Sequence, residues 1–432
     1  MSDKKTRAII LAAGKGTRMK SDLPKVLHQI FGKPLLGYVL DAVNNTGAVS
    51  ENYIIVGHRA NLVEDFVMNN YGNAKCILQS PQLGTGDAAA KVCPELKDFD
   101  GNVIILCGDA PLIETETLKK FIETHNEHNA DLTVMSAIFE NPSNYGRIIR
   151  NQNGVKAIVE EKDATPEEKT VKEINAGIYC INWKKISPAF SELKCNNAQG
   201  EYYLTDIVSW SVNKGLKTQA FVLENNEEIF GINSRAHLAE ATKILNSKTI
   251  SKLLEKGVTI INPESVYISP ETTIGEETII FPDVYISGKN EIGQNCKIGP
   301  FAHIRGDVKI GNNVRIGNFV EIKKSVINDN TNVSHLSYVG DSELGSNVNI
   351  GAGTITANYN PITKVKSKTI IKDGANTGSN SVIVAPVTVN EMASIAAGSI
   401  ITKDVEANAL AITRSPLKII SNWVKDKLAL KK

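Results

Sequence analysis

The sequence predicts two architectures in one chain: an α/β domain with a Rossmann-like, mainly parallel sheet, followed by a parallel β-helix. The first prediction rests on short apolar runs that alternate with helical patterns up to about residue 233. The second rests on isoleucines that recur every six residues after residue 257. The length of 432 residues also favours more than one domain.

The first part of the chain alternates between two kinds of segment. Apolar runs typical of buried strands lie at 8–11, 53–56 and 103–106, and helical patterns lie at 35–43 and 118–125. After them, apolar residues at helical spacing and a closing glycine predict a helix that links two domains. The predicted organisation is a first domain at 1–233, a linking helix at 234–257, a β-helix at 258–416 and a C-terminal tail at 417–432.

The six-residue period predicts one inward-pointing aliphatic side chain per short strand, with turns between strands that stack into a prism. Isoleucines hold this phase from Ile268 to Ile322, and a second phased set begins at Ile371. Between the two sets the phase slips, which predicts a loop or insertion between Ser325 and Lys368. A solenoid of this kind can also serve only as a spacer, because a fold does not fix a function.

The bulk composition favours small-molecule partners. Lys and Arg number 48 against 47 Asp and Glu, and a net charge of +1 gives no electrostatic footprint for nucleic acid or an anionic membrane. The six cysteines form no CxxC pair, which suits a reducing cytoplasm better than a disulfide framework or a zinc site. We find no apolar run of about 18 residues and expect no secretion signal. The expectation is a cytoplasmic protein without membrane insertion.

A glycine-rich loop follows the first predicted strand. Residues 11–25 read LAAGKGTRMKSDLPK, in which Gly14 and Gly16 let backbone amides approach a phosphate, while Arg18 and Lys25 supply positive charge. The loop is not a Walker A motif, and it lacks the third glycine of the dinucleotide fingerprint. The complete pattern, GxGTRM followed by PK, resembles the sugar-1-phosphate nucleotidyltransferases.

Further motifs follow in the order typical of that family. They are LQSPQLGTGDA at 78–88, CGDAPL at 107–112, NYGRII at 144–149, IVEEKDAT at 158–165, INAGIY at 174–179, GEYYLTD at 200–206 and GINSR at 231–235. With the hexapeptide half, nearly the whole chain resembles the bifunctional N-acetylglucosamine-1-phosphate uridyltransferase/glucosamine-1-phosphate acetyltransferase family. The resemblance implies a left-handed β-helix and a homotrimer with acetyltransferase sites between neighbouring subunits.

For the first domain, the resemblance implies uridylyl transfer from UTP to N-acetylglucosamine-1-phosphate with release of pyrophosphate. It implies catalytic roles for Arg18 and Lys25 and a Mg²⁺ ion on Asp109 and Asn233, and cations would screen the repulsion between the two phosphates. The implied nucleotide-binding residues are Leu11, Ala13, Gly14, Lys25, Gln79, Gln82, Gly84 and Thr85. The implied sugar-binding residues are Gly146, Glu160, Asn175 and Asn233.

For the second domain, the resemblance implies acetyl transfer from acetyl-CoA to glucosamine-1-phosphate, with His335 as general base. Only a free amine attacks a thioester, and histidine is the side chain that exchanges a proton near neutrality. The implied sugar-phosphate residues are Arg305, Lys323, Tyr338, Asn349, Asn358 and Tyr359, and the implied acetyl-CoA residues are Ala352, Ser379, Ala397 and Arg414. The implied product is UDP-N-acetylglucosamine, a precursor of bacterial envelope polysaccharides.

Several alternatives stay open at the level of sequence. The β-helix can serve only assembly or regulation of a nucleotidyltransferase, or the chain can be a non-catalytic sugar-nucleotide-binding subunit. Asp109 can be structural, and Glu160 can belong to a solvated charge run. Two residues depart from the family pattern: Cys107 stands where Tyr or Ser is usual, and Gly306 stands where Pro is usual.

Overall fold

A computed structural model describes residues 5–152 and 154–429 of the chain. The chain divides into two compact units, Met1–Ile244 and Leu245–Lys432. The division falls within the helix Arg235–Glu255, which lies where the sequence predicts a linking helix. The domain limits at 233 and 257 stay predictions, because this helix spans the point of division.

The first unit is an α/β structure. Its strands are β1 (Thr6–Leu11), β2 (Gln29–Ile30), β3 (Lys33–Pro34), β4 (Val49–Val56), β5 (Ala74–Leu78), β6 (Asn102–Cys107), β7 (Leu132–Ile138), β8 (Arg147–Asn151), β9 (Gly154–Val159), β10 (Glu173–Asn182) and β11 (Thr218–Val222). Its helices are α1 (Leu35–Asn44), α2 (Ala60–Asn70), α3 (Thr85–Ala90), α4 (Thr115–Glu127), α5 (Trp183–Ile186), α6 (Ala189–Glu192) and α7 (Asp206–Asn213), and α8 (Arg235–Glu255) follows. Short 3-10 helices lie at Thr17–Met19, Lys25–Leu27, Glu168–Thr170 and Asn226–Ile229.

The main sheet is mostly parallel, with the strand order β11-β7-β10-β6-β1-β4-β5 and a β8–β9 hairpin attached to β10. Strand β10 runs antiparallel to β6 and β7, whereas β1 runs parallel to both β4 and β6. Because β1 lies between β4 and β6, the strand order reverses there, and a crevice opens beyond the carboxyl ends of these strands. The Rossmann-like prediction is confirmed.

Both faces of this sheet are buried. Ile9 and Ile105 pack in one apolar cluster, while their neighbours Ala8 and Ile104 pack in another on the opposite face. Successive side chains of a strand point to opposite faces, so a strand covered on both sides needs consecutive apolar residues. This explains why the strands of this domain read as short unbroken apolar runs.

The second unit is a left-handed parallel β-helix with three faces, followed by helix α9 (Trp423–Ala429). A 3-10 helix lies at Pro263–Ser265. The first face consists of Thr259–Ile260, Ile279–Ile280, Lys297–Ile298, Arg315–Asn318, Asn332–His335, Asn349–Ile350, Asn376–Thr377, Ser394–Ile395 and Leu410–Ala411. The second face consists of Tyr267–Ile268, Tyr285–Ser287, His303–Arg305, Glu321–Lys323, Tyr338–Gly340, Ile355–Ala357, Val382–Val384 and Ile400–Ile401. The third face consists of Thr272–Ile274, Asn290–Ile292, Val308–Ile310, Val326–Ile327, Ser342–Leu344, Thr369–Ile371 and Val387–Val389.

The phased isoleucines form the core of this prism. From Ile268 to Ile322 each is at most 6% exposed, and all belong to one continuous cluster. In a regular coil the chain passes through one strand of each face before it returns to the first, as from Ile298 to Ile316. Burial of one such side chain contributes about 1.5–3 kcal/mol, so the ladder is the main source of stability for this unit.

The predicted phase slip has two components. Two successive coils are each shorter than the regular coil by a single residue, because Asn318 pairs with His335 and Val333 pairs with Ile350. A later coil is longer, because Ile350 pairs with Thr377, and its extra length forms a loop closed by a bridge between residues 359 and 366. The predicted insertion is confirmed. Within the part of the chain that the structure describes, no helix has both the length and the apolar character needed to cross a membrane.

Candidate active sites

A cavity of about 440 Å³ opens at the carboxyl ends of the parallel strands in the first unit. Leu11 ends β1, Cys107 ends β6, and Gln79 follows β5 directly. The cavity is lined by Leu11, Ala12, Ala13, Gly14, Lys15, Lys25, Val26, Gln79, Gln82, Gly84, Thr85, Ala88, Cys107, Asp109 and Glu201. All the residues predicted to bind the nucleotide therefore meet in one cavity, together with Asp109.

The glycine-rich loop packs closely against Lys25 because position 16 lacks a side chain. Gly16 has φ +59, and a Cβ atom there would lie 2.7 Å from Cβ of Lys25. Around Gly14, by contrast, a Cβ would meet nothing within 4 Å. Glycine at 16 lets the loop pack against Lys25, and Gly14 leaves open space on the cavity side.

The opposite wall is held by a second segment of the chain. Gly84 has φ +116, and an added Cβ would lie 2.6 Å from the Tyr202 carbonyl oxygen. The Leu204 amide donates a hydrogen bond of 3.1 Å to Oγ1 of Thr85. The Gln82 amide donates across the cavity to the carbonyl of Ala13. These contacts fix the wall that carries Gln79, Gln82 and Gly84 without a ligand.

Lys25 lies between two oxygen atoms that accept hydrogen bonds from its ammonium group, at the floor of the cavity. Its Nζ forms an ion pair with Asp109 and lies 3.1 Å from Oδ1 of Asn233. The side chains of Lys25 and Asp109 are only 16% and 17% exposed. Because the Ile232 amide donates a 2.9 Å hydrogen bond to the Asp109 carbonyl, the segment bearing Asn233 is anchored beside Asp109. The structure thus brings the two predicted metal ligands together around one cation.

Arg18, the other predicted catalytic cation, is placed differently. It is exposed on the 3-10 turn Thr17–Met19 and does not belong to the set of residues that line the cavity. The turn follows Gly16 directly, so Arg18 lies on the same loop as the cavity-lining residues Gly14 and Lys15.

The predicted sugar-binding residues form a group next to the cavity. The Asn175 amide donates a 2.9 Å hydrogen bond to the Gly146 carbonyl, and Oε1 of Glu160 accepts one of 3.2 Å from Thr205. A Cβ at Gly146 would lie 3.4 Å from the Glu160 carboxylate. Burial raises the pKa of Glu160, and the Thr205 hydrogen bond opposes that rise only in part. Glu160 is therefore a partly buried carboxylate and not a member of a solvated charge run.

This sugar group meets the cavity at Cys107. The Asn175 side-chain amide donates a 2.8 Å hydrogen bond to the Tyr179 hydroxyl, and a Cβ at Gly177 would lie 3.7 Å from Sγ of Cys107. Burial, with the charge of Asp109 as a smaller cause, raises the pKa of the Cys107 thiol to about 12. The thiol is neutral near pH 7, so Cys107 contributes packing to the site and no nucleophile.

On the β-helix, His335 belongs to a column of residues at the corner between the first and second faces. The His335 carbonyl accepts a 3.2 Å hydrogen bond from the Gly353 amide, and the Ser379 carbonyl accepts one of 2.8 Å from Gly398. In successive coils the column consists of His335, Ala352, Ser379 and Ala397. Adjacent coils are about 4.8 Å apart, so the three steps of this column span about 14 Å. The predicted base shares one edge with three predicted acetyl-CoA residues.

Cationic side chains cluster on the second face beside this column. Arg305 and Lys323 are directly paired in adjacent coils, and Gly340 follows in the same register. A Cβ at Gly340 would clash with the Tyr338 hydroxyl, so glycine makes room for that ring. The Asn358 amide donates a 3.4 Å hydrogen bond to the same hydroxyl. Four predicted sugar-phosphate residues are thus neighbours.

A third cation, Lys366, belongs to this cluster and was not predicted from the sequence. The charge of Lys366 is the largest cause of a lowered pKa at Lys323, followed by burial and the charge of Arg305. Lys366 lies in the inserted loop, far from Lys323 in the chain, and the loop closes through its bridge with Tyr359. The only signal in the sequence is the lysine-rich run KVKSK at 364–368.

The remaining predicted residues lie outside this group of neighbours. Asn349 is exposed on the first face, where it pairs with Asn332 and Asn376 of the adjacent coils. Tyr359 is 52% exposed in the inserted loop, and Arg414 is exposed after the last strand. In a single chain, these three side chains are exposed to solvent.

The turn after Arg305 explains one departure from the family pattern. Gly306 has φ +54, which proline cannot adopt because its ring fixes φ near −65°. The Gly306 amide donates a 2.8 Å hydrogen bond to Ser287 of the preceding coil. This turn is built around glycine and is tied to its neighbour through the backbone.

Comparisons with known proteins agree with this geometry. The nucleotidyl transferase family model matches residues 7–231, and the bacterial transferase hexapeptide model, which describes six repeats, matches residues 291–324. The first match covers the unit that contains the cavity, and the second lies within the β-helix.

Curated relatives align with almost the full chain. A protein of Caldanaerobacter subterraneus is 45% identical and covers 98% of both chains, and one of Acetivibrio thermocellus is 44% identical with 96% coverage of both. A relative from Clostridioides difficile is 43% identical, again with 98% coverage of both. All three are named bifunctional protein GlmU.

These matches exclude the alternatives in which the β-helix is only a spacer or the chain is non-catalytic. The chain is a transferase with two activities, uridylyl transfer to N-acetylglucosamine-1-phosphate and acetyl transfer to glucosamine-1-phosphate. From its two matched family models and its full-length relatives, we conclude that the chain belongs to the bifunctional GlmU family.

Proposed function

We propose that uridylyl transfer takes place in the cavity of the first unit, with UTP as nucleotide and Mg²⁺ as metal. The observation that carries this proposal is the convergence of the glycine-rich loop, the Gln79–Thr85 wall and the Lys25–Asp109–Asn233 group on one cavity. In the reaction, a phosphate oxygen of the sugar phosphate attacks the α-phosphorus of UTP, and pyrophosphate leaves. Lys25 stabilises the phosphate charge, and Arg18 adds a second positive charge on the same glycine-rich loop.

Asp109 and Asn233 fit a magnesium ion by the chemistry of their donor atoms. One carboxylate and one amide oxygen already converge on the Lys25 ammonium. Mg²⁺ commonly takes one or two protein oxygens and completes its coordination shell with phosphate and water. A pair of protein ligands is therefore sufficient, although the described residues contain no cluster of three or more His, Cys, Asp or Glu suited to a metal. When bound, the ion would be held by Asp109 and Asn233, and it would supply positive charge that offsets the negative charge of the phosphates.

The acceptor sugar would lie against Gly146, Glu160 and Asn175. The partly buried Glu160 carboxylate can accept hydrogen bonds from sugar hydroxyls, and Gly146 leaves the space in front of it free of a side chain. In this arrangement the sugar phosphate points towards Cys107 and the cavity floor, where the α-phosphate of UTP would lie.

We place acetyl transfer on the edge of the β-helix that His335 shares with Ala352 and Ser379. The glucosamine nitrogen forms a bond to the acetyl carbonyl carbon, the carbon–sulfur bond breaks, and the coenzyme thiolate leaves. His335 accepts the proton that the amine loses, and this proton then neutralises the thiolate. Arg305, Lys323 and Lys366 would hold the sugar phosphate, because three cations meet there on the second face.

We further propose that the enzyme works as a homotrimer. A column of large apolar side chains borders the His335 column: Phe301, Phe319 and Leu336 are 47%, 59% and 63% exposed. The rings of Phe301 and Phe319 stack with centroids 5.1 Å apart. Exposed apolar columns of this kind mark contact surfaces, and a neighbouring subunit would cover this one and close the acetyltransferase site. We place the enzyme in the cytoplasm, where its product would supply synthesis of the bacterial envelope.

The experiment that tests the proposal is product analysis by mass spectrometry. The enzyme receives glucosamine-1-phosphate, acetyl-CoA, UTP and Mg²⁺, and each component is then omitted in turn. We expect UDP-N-acetylglucosamine only from the complete mixture, and N-acetylglucosamine-1-phosphate alone when UTP or Mg²⁺ is missing. Formation of the nucleotide sugar without a divalent metal would contradict the role of Asp109 and Asn233.

A further inference from the structure

We infer that Asp87 fixes the orientation of the Gln79 side-chain amide and thereby makes the nucleotide site select uracil over cytosine. The inference rests on the proposed placement of the UTP base beside Gln79. Asp87 is not one of the cavity-lining residues, so it would act as a positioning residue through Gln79.

The geometry permits only one orientation of the Gln79 amide. Nε2 donates hydrogen bonds of 3.0 Å to the Gly84 carbonyl and 2.8 Å to a carboxylate oxygen of Asp87. Both partners are pure acceptors, so the –NH₂ group must face them. If the amide turned over, its oxygen would face a carboxylate and a carbonyl, and both contacts would become repulsive. Gln79 is 4% exposed, so no bulk water would compensate for that loss.

The locked amide leaves only its oxygen for a ligand. Among the described residues, no hydrogen bond is formed to Oε1 of Gln79. A carbonyl oxygen can accept a hydrogen bond from the N3–H group of uracil. Cytosine has a lone pair at N3 instead, so the same oxygen would repel it. Uracil recognition at this position therefore requires that the amide cannot turn over.

Asp87 is itself held in place. Lys91, one helical turn further along the chain, forms an ion pair of 2.9 Å with the other carboxylate oxygen. The side chain of Asp87 is 12% exposed, whereas that of Lys91 is 33% exposed. The carboxylate thus bridges Lys91 and Gln79. Loss of Lys91 removes only the outer contact, and loss of the Asp87 charge removes the contact that orients Gln79.

The test is the ratio of kcat/KM for UTP to that for CTP, measured on the full-length enzyme. We expect the parent to favour UTP strongly and to use 3-methyl-UTP poorly, because methylation removes the N3–H donor. In Asp87→Asn the ratio should fall about tenfold or more, since an asparagine amide can itself donate to Gln79 and stabilise the reversed orientation. Asp87→Glu restores a carboxylate acceptor and should recover most of the ratio.

Two further variants separate the possible failures. Lys91→Met keeps the hydrogen bond between Asp87 and Gln79 and should keep the parental ratio, with thermal melts to verify folding of every variant. A parental ratio in Asp87→Asn together with a collapsed ratio in Gln79→Ala would overturn the role of Asp87 and leave the uracil site intact. A parental ratio in Gln79→Ala would overturn the proposed uracil site itself. A parent that does not distinguish UTP from CTP, or UTP from 3-methyl-UTP, would overturn the inference.

Discussion

The two active sites differ in how completely one chain builds them. The proposed uridyltransferase site is a cavity within one unit, and Gln79, the residue proposed to read the base, is 4% exposed. The residues proposed for acetyl transfer lie on an open edge of a prism, where the Arg305 side chain is 44% exposed and Leu336 is 63% exposed. An enclosed site strengthens its electrostatic contacts by excluding water, whereas an open edge needs another wall to do so.

This contrast follows from the two folds. A parallel sheet with a reversal in strand order leaves a crevice at its carboxyl edge, and the loops that follow several strands close around it. A β-helix has flat faces and straight edges, so residues from successive coils align in columns without forming a pocket. The contrast predicts that changes in the first unit affect one activity alone, while acetyl transfer also depends on contact between subunits.

The largest effect is expected from Asp109→Ala. The variant loses the carboxylate that pairs with Lys25 and that would hold the metal, so we expect kcat/KM for uridylyl transfer to fall by about a thousandfold. Acetyl transfer should stay within twofold of the parent. A coupled pyrophosphate assay and a thiol-release assay measure the two activities. Asp65→Ala, at an exposed acid of α2, is the matched control. Equal loss of both activities would show that the two sites are not independent.

The reciprocal change is His335→Ala. Removal of the proton acceptor should lower acetyl transfer by about a hundredfold or more, because general base catalysis typically contributes 10²–10⁴-fold. Uridylyl transfer should not change. His128→Ala removes an exposed histidine whose ring contacts Gln219, so it controls for loss of an imidazole. Normal thiol release in His335→Ala would eliminate this histidine as the base.

Contact between subunits is tested by Phe319→Asp. A charge in the exposed apolar column should break the trimer, and we expect acetyl transfer to fall about tenfold while uridylyl transfer persists. Light scattering coupled to gel filtration gives the mass of the particle. Met392→Asp is the matched control, because Met392 is a 62% exposed side chain at another corner of the same prism. A variant that stays trimeric, or a monomer with full acetyl transfer, would refute an intersubunit site.

The sequence predicted the local pattern of both folds well. Isoleucines from Ile268 to Ile322 keep one phase because each coil repeats the same three short strands, so their burial follows directly from the period. The loop motif at 11–25 likewise predicts a phosphate site, since Gly16 is required by its positive φ and its contact with Lys25. In both cases the structure is specified by residues that are close together in the sequence.

Contacts across coils or between distant loops were harder to predict. The column of His335, Ala352 and Ser379 is hidden in the sequence because the coil from Val333 to Ile350 is a residue short and the next coil carries the inserted loop. The spacing between members of the column is therefore unequal. Lys366 joins the cationic cluster only through that loop. Asp87 lies in the motif LQSPQLGTGDA, but its hydrogen bond to Gln79 depends on how helix α3 packs after the turn at Gly84. Such placements follow from tertiary packing, which a single sequence does not display.

The smallest expected effect is that of a substitution at Glu160. The carboxylate of Glu160 is partly enclosed, so it tests how strongly burial acts on a charge in the first unit. Burial raises its folded-state pKa above the ordinary 4.5, so the folded protein binds this proton more tightly than the unfolded chain. The contribution of Glu160 to the free energy of unfolding therefore falls as the pH rises above 4.5. Glu160→Gln removes the buried charge and should raise the melting temperature at pH 8 by about 1–3 °C.

The same variant should raise the KM for N-acetylglucosamine-1-phosphate about fivefold, because an amide oxygen accepts hydrogen bonds more weakly than a carboxylate. Melting curves between pH 4 and pH 8 test the direction of this pH dependence. The difference in melting temperature between the variant and the parent should shrink as the pH falls, because both side chains are neutral at low pH. Glu167→Gln removes an exposed charge in the same region and controls for net charge. A constant difference in melting temperature across this range would show that burial of the Glu160 charge does not limit stability, and an unchanged KM would place the sugar elsewhere.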